Sequence, residues 1–196
     1  MPTRDFPGGD MIKLLSMTSV QLAILRHADR VKLSCMTGGL GALCSSDHDH
    51  VWKSASYHAF MQLLEYAKGT SMQVTVDGPV YDMPGYAIDD TSQYTGKNNV
   101  PYIDAASAWD KEGKRLTVFV INRNQTEKYP LELDIRGFEV MNKISHYQMY
   151  STDFDKKSSY GNDWQKPELN NDAAIKQGIA SLEIKPLSWN VIVFEE

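Results

Sequence analysis

Cysteine is scarce in this chain: Cys35 and Cys44 are the only two in 196 residues. Two thiols cannot staple a disulfide framework, so the fold has to rest on a packed core. No apolar run approaches the ~18 residues that make a membrane-spanning helix. The most apolar stretch starts at Met11, but Ser16, Thr18, Ser19 and Gln21 interrupt it and no small-residue cleavage site follows. It therefore reads as a helix rather than an export signal, and the protein as cytoplasmic. On that reading the sequon Asn124-Gln125-Thr126 carries no glycan. Positive charge is also short: 20 Lys and Arg against 25 Asp and Glu give a net charge of −5. A mildly acidic surface argues against nucleic acid as a partner. Leu, Ile, Val and Phe total 44, above the roughly 20% below which chains stay disordered, so a core is affordable in composition.

What is present changes character along the chain. Residues 1–10 hold two Pro and two Gly and read as a loose arm. From 11 to 28 the text is helical, with Met11, Leu15, Leu22 and Leu25 on one face and Ile12, Leu14, Val20 and Ile24 widening it. So broad an apolar surface predicts a helix covered on more than one side. Residues 31–35 read as a short strand, 37–49 as a Gly- and Asp-rich loop, and 52–68 as a second helix stopped by Gly69.

Beyond Gly69 the period shortens. Strands are expected at 73–76, 102–109, 115–122, 131–135, 140–150, 180–184 and 190–194. Residues 115–122 are apolar on both faces, with Thr117, Phe119 and Ile121 alternating with Val118, Val120 and Asn122, so that strand is expected at the centre of its sheet. Seven short strands separated by turn residues predict a β-sandwich. Residues 151–172 read as one long polar loop.

Few side chains announce chemistry. Asp89-Asp90 are adjacent in a loop and diverge, and Asp104 lies in a strand of unassigned face, so neither supplies the facing carboxyl pair of a glycosidase. Asp47-His48-Asp49-His50 offers two His for a metal but no third ligand at a fixed spacing. Cys35 with His48 lacks any group that lowers the thiol pKa. Tyr94-Thr95-Gly96-Lys97 has Thr91 where a phosphate loop has Gly. No metal and no cofactor are expected. Of the four tryptophans, Trp52, Trp109 and Trp189 fall in or beside expected elements and read as core; Trp164, in the long loop, is the candidate sugar contact, with Tyr150 and Tyr160 as neighbours in an aromatic platform.

Several segments resemble one family. His27-Ala28-Asp29-Arg30-Val31-Lys32, Trp52-Lys53 with Tyr57 and Phe60, and Tyr66 with Gly69 resemble the end of the catalytic barrel in α-L-arabinofuranosidases of glycoside hydrolase family 51. Pro101-Tyr102-Ile103-Asp104-Ala105, the run from Leu116 to Arg123, Asp134 to Glu139, and Leu187-Ser188-Trp189-Asn190-Val191-Ile192 resemble its C-terminal β-sandwich. The resemblance spans about residues 14–194. It implies a mainly-β fold: an antiparallel β-sandwich over 72–196, preceded over 11–71 by a helix–strand–helix remnant of a (β/α)8 barrel.

The same resemblance implies where catalysis sits. The family's acid/base Glu and nucleophile Glu end the fourth and seventh barrel strands, so neither has a counterpart here and no residue of this chain is expected to be catalytic. A sugar-contacting Gln that the family places after the eighth strand falls on Gly38, which has no side chain to offer. The expected function is that of the C-terminal region of an arabinofuranosidase, inert alone. The alternative is a non-catalytic carbohydrate-binding or oligomer-forming sandwich. The expected partner is a catalytic barrel half or a second copy. An arabinose-containing oligosaccharide enters only if that barrel is supplied. Lone chains are expected to self-associate through uncovered apolar faces.

Overall fold

The computed structural model describes residues 9–35, 42–46, 49–87, 93–138 and 141–196. Helix α1 spans Asp10–Arg26 and is followed by a small hairpin, β1 (Leu43–Ser45) and β2 (Val51–Lys53). Helix α2 is Ala55–Tyr66 and edge strand β3 is Thr70–Met72. Two further ribbons pair β4 (Val80–Met83) with β7 (Lys97–Pro101) and β5 (Tyr86–Ala87) with β6 (Gln93–Tyr94). The long strands follow: β8 (Ile103–Asp110), β9 (Arg115–Asn122), β10 (Tyr129–Asp134) and β11 (Lys143–Tyr150). Last come β12 (Glu168–Asn170), β13 (Ala174–Lys176), β14 (Ile179–Ile184) and β15 (Ser188–Glu195).

These elements form three layers. The middle layer is a six-stranded antiparallel sheet in the order β12-β11-β15-β9-β8-β3. Against one face lies the three-stranded sheet β10-β14-β13; against the other lie α1 and α2. Strand periodicity sorts the side chains. Phe119, Ile121, Trp189, Val191 and Val193 join Leu14, Met17, Leu22 and Ala59 in the helix-side core. Leu116, Val118, Val120, Ile192 and Phe194 join Leu182 and Ile184 between the sheets. The mainly-β antiparallel sandwich is thus present, and β9 is central, flanked by β15 and β8.

The helices explain themselves. Asp10 in the first turn and Arg26 in the last match the helix dipole. Most of the wide apolar surface of α1 is buried, on one side by the sheet and on another by α2, while Val20 stays exposed. Gly69, at φ +86°, turns the chain from α2 into β3, and a Cβ there would stand 2.1 Å from the Trp109 carbonyl oxygen.

Four expectations change. Helix α2 starts at Ala55 rather than 52, because Trp52 and Lys53 pair with Cys44 and Leu43 in the hairpin, which also puts a strand inside the expected 37–49 loop. Residues 31–35 carry no strand and are exposed. A parallel barrel strand needs hydrogen-bonded neighbours on its edges, and no described residue pairs with this segment. Residues 73–76 are likewise not a strand; the pairing to β8 falls earlier, at Thr70–Met72, where Gly69 sets the register. Gly9 and Asp10, read as part of a loose arm, are buried.

One polar clamp joins the layers. The Arg26 guanidinium donates to Asp104 Oδ1 (2.6 Å) and the Ala105 carbonyl (2.8 Å), and Arg123 donates to Asp104 Oδ2 (2.6 Å) and Ser19 Oγ (3.3 Å). Asp104 therefore fastens α1 to β8 and is no member of a facing acid pair in this arrangement. We expect Asp104→Asn to lower stability by about 1–2 kcal/mol, since charge-assisted bonds are worth more than neutral ones but Arg26 is partly solvated. Urea unfolding measures it, and the loss should shrink at high salt.

Candidate functional site

The long connection after β11 is organised by the start of α1. The Gly9 N–H donates to the Phe154 carbonyl (2.5 Å), the Asp10 N–H to the Lys156 carbonyl (3.0 Å), and the Ser158 N–H to Asp10 Oδ2 (2.6 Å). A Cβ on Gly9 would lie 2.5 Å from Lys156 O and 2.7 Å from Phe154 O, so only glycine permits this approach. Gln165 Nε2 reaches Met11 Sδ (3.2 Å), and His58 of α2 pairs with Asp163 (2.9 Å). Burial pushes the Asp163 carboxyl up, but His58, with help from Lys166, outweighs it and holds the group below its usual range. A segment expected to be an open loop is therefore tied at both helices and returns to the sheet as β12.

Between this segment and the end of β11 is a cavity of about 330 Å³. Gln148, Tyr150, Asp153, Trp164, Gln165 and Glu168 are among its lining residues. Its ionic lining, Asp153 and Glu168 against Lys156 and Lys166, sums to zero formal charge. On two of its lining residues, Trp164 Nε1 and Gln165 Oε1 are buried away from solvent without a hydrogen-bond partner among the described residues. One is a donor and the other an acceptor. The Lys156 ammonium lies 3.9 Å from the centroid of the Trp164 ring, and the Lys185 ammonium 3.9 Å from that of Tyr150.

The structure therefore brings Trp164 and Tyr150 together but not as an open platform, because each ring has a cation over one face. Tyr160 stands apart from the lining; its ring meets His50 edge-on at 4.6 Å. Gly38, Asp47, His48, Asp89 and Asp90 lie outside the described residues. Among the described residues no group of three His, Cys, Asp or Glu is placed to hold a metal ion. Cys35 is exposed. Burial pushes the Cys44 thiol up, Asp10 adds to this and Lys13 opposes it, which is the reverse of an activated nucleophile. Trp109, partly buried, packs against Phe138 (5.1 Å) at the edge of the core, and fully buried Trp189 packs against Phe119 (5.7 Å).

Sequence reasoning missed Gln165 and the Gly9-Asp10 anchor. A glutamine in a polar loop gives no signal, and Gly9 looks like any arm glycine until Lys156 and Phe154 are seen against it. It also missed a buried polar cluster between the sheets. His146 is fully buried, with Nδ1 3.0 Å from Asp172 Oδ1 and Nε2 3.0 Å from Asn190 Oδ1. Asn190 Oδ1 also accepts from Gln148 Nε2 (2.6 Å), while its Nδ2 donates to the Val120 carbonyl (3.3 Å) and fixes the amide orientation. The only sequence hint is a histidine in an alternating strand.

Comparison with known proteins adds to this geometry. A family model described as the alpha-L-arabinofuranosidase C-terminal domain matches residues 14–188. An intracellular exo-alpha-(1->5)-L-arabinofuranosidase of Halalkalibacterium halodurans is 29% identical over 181 residues, covering 91% of this chain and 34% of the relative. One from Bacillus subtilis is 26% identical, with the same two coverages. The chain thus spans about a third of the length of these curated relatives. The alpha-L-arabinofuranosidase of Thermotoga maritima, solved as an arabinose complex, superposes with a TM-score of 0.80 at 18% identity over 96% of this chain and 39% of that one. A family 51 enzyme from Bifidobacterium longum gives 0.77 at 16% identity over 100% and 35%. At these identities the two structures speak to the fold alone.

Proposed function

Because the chain belongs to the α-L-arabinofuranosidase C-terminal domain family, we propose that it serves as the non-catalytic part of an arabinofuranosidase and seats against a catalytic barrel. The observation that carries this reading is the outer surface of the helical layer. Met61 and Leu64 of α2, Val20 of α1, and Leu43 and Val51 of the hairpin are large apolar side chains left exposed. Exposed apolar side chains gathered into one patch mark an interaction surface, and in this reading these five form the patch that the barrel covers. They belong to the segment that the resemblance assigns to the barrel, and the curated relatives are about three times as long.

In this arrangement the chain supplies no acid/base and no nucleophile. The substrate is a terminal α-L-arabinofuranoside, as the relatives' names state for those enzymes. Those names also place the relatives inside the cell, and we assign this chain to the cytoplasm on that ground; among the described residues no helix is long and apolar enough to cross a membrane.

The test has two arms. The purified chain should show no turnover of an aryl arabinofuranoside, and light scattering should show self-association as concentration rises. Mixed with the barrel-bearing part of a relative, it should form a complex, and Leu64→Asp with Met61→Asp should weaken that complex by at least about tenfold. Turnover by the rigorously purified chain, or a monomer that ignores the barrel, overturns the reading.

A further inference from the structure

We propose that the hairpin β1–β2 joins the partner barrel by strand addition, the free edge of β1 pairing with an unpaired strand at the edge of the partner's sheet. The inference rests on the preceding reading and deepens it, because it names the backbone groups through which that barrel is held. The pairing pattern of the hairpin fixes those groups. The Ser54 N–H donates to the Ala42 carbonyl (3.0 Å) and the Ser46 N–H to the His50 carbonyl (3.3 Å). Bonded positions alternate along an antiparallel pair. With Cys44 opposite Trp52, residues 42, 44 and 46 therefore turn their N–H and C=O groups toward β2. Leu43 and Ser45 turn theirs the other way, where no described residue meets them.

The character of this edge marks it as one to be covered. A ribbon of two three-residue strands is marginal in water by itself. Native sheets guard open edges with charge and proline. Here β10 carries Pro130, Glu132 and Asp134, β12 opens with Glu168 and β13 closes with Lys176. Within the hairpin Lys53 stands on β2, whereas β1 is Leu-Cys-Ser and has no such guard. One face of the ribbon presents Leu43, 62% exposed, and Val51, 54% exposed. Half-buried Cys44 faces the opposite way, close enough to Asp10 and Lys13 of α1 to feel their charges.

The order along the chain agrees. A strand between two helices is the α/β unit of a parallel sheet, and it needs neighbours that one strand cannot supply. Residues 31–35 alternate as that strand would, but the structure places the strand at Leu43–Ser45, between α1 and α2. The matching family model runs over 14–188 and so includes both helices and the hairpin. The chain covers 34% of the curated relatives, and the remainder of their length is what brings a sheet to this edge. Main-chain hydrogen bonds then supply the affinity, and Leu43 and Val51 the apolar cover.

The experiment co-expresses the full chain with the barrel-bearing part of a relative and compares wild type, Ser45→Pro and Ser45→Ala. Ser45→Pro removes the outward N–H and sets a ring in its place, yet leaves every bond to β2 intact. The free variant should keep its melting temperature within about 2 °C. It should weaken the complex by at least about tenfold. Ser45→Ala keeps the N–H and should bind as wild type does. Hydrogen exchange should be fast at the Leu43 and Ser45 amides of the free chain and at least about tenfold slower in the complex. A complex that tolerates Ser45→Pro, or one that leaves those two amides fast, overturns strand addition while the barrel reading stands. Failure to form any complex overturns both. Self-association abolished by Ser45→Pro with the barrel complex unchanged assigns the edge to a second copy of the chain, and that too overturns the proposal.

Discussion

Trp189→Ala should lower the unfolding free energy by about 4–6 kcal/mol, combining a large aromatic truncation with a stranded buried acceptor. Trp189 is fully buried on β15, among the residues that face the helices. Its ring stacks on Phe119 of β9 at 5.7 Å with 19° between planes. Its Nε1 donates to Gln62 Oε1 of α2 at 2.9 Å. The mutation thus opens a cavity in the core and removes the donor that holds a buried amide. Against a total of about 5–15 kcal/mol for an ordinary domain, this is enough to leave little folded protein.

Two companions separate the causes. Trp189→Phe retains most of the packing but strands Gln62, and should cost about 1–3 kcal/mol beyond its lost volume. Adding Gln62→Leu to Trp189→Phe should recover part of that cost, because the pair then leaves no polar atom unpaired. Urea midpoints at constant m report all three. A loss under about 1 kcal/mol for Trp189→Ala would show that the helical layer does not depend on this contact.

His146→Ala should cost about 2–4 kcal/mol at neutral pH. A fully buried ring is lost between the sheets and Asp172 loses its partner. Both ring nitrogens lie within hydrogen-bond distance of a side-chain oxygen, so the ring bridges Asp172 and Asn190. Burial pushes the Asp172 carboxyl up, but the His146 hydrogen bond and the Glu183 backbone N–H outweigh it, so the group ends below the usual carboxylate range.

A depressed carboxyl stabilises the fold above its unfolded pKa and loses that contribution as pH falls through its folded value. The wild-type chain should therefore lose stability on acidification from about pH 4 downward. Asp163, also depressed, adds to the same limb. In His146→Ala the limb should be shallower, with the Asp163 part remaining. Unfolding curves collected at successive pH values give both slopes. An unchanged acid limb would mean that Asp172 does not draw its low pKa from His146.

Much of the architecture is legible along the chain. The alternation of residues 115–122 marks a central strand because two buried faces demand apolar side chains at every position, and β9 is central. Gly69 marks the end of α2 because only glycine takes its backbone angle without strain. The breadth of the apolar surface on α1 announces burial on two sides. Trp164 is legible as the odd tryptophan outside the expected elements, and it does line the cavity.

Other features were illegible for definite reasons. Residues 31–35 alternate like a strand, yet strand formation depends on a neighbour, and pairing partners are not written in the segment itself. The run at 73–76 is β-prone, but the turn at Gly69 aligns 70–72 with β8 first. The lysines over Trp164 and Tyr150 lie eight and thirty-five residues away in sequence, so an open aromatic platform and a covered one have the same local text.

The sequence by itself determined the class of fold and the central strand, because these follow from local backbone preference and from the period of apolar side chains, while the family is carried by the motifs between His27 and Ile192. Only the tertiary structure decided that Asp104 is a clamp between two arginines, that Gly9 anchors a distant loop, and that Trp164 and Tyr150 line one cavity with a lysine over each ring. Those facts depend on which distant groups meet and how their charges and hydrogen bonds are completed, and contact between residues 19 to 148 positions apart is a property of the folded chain.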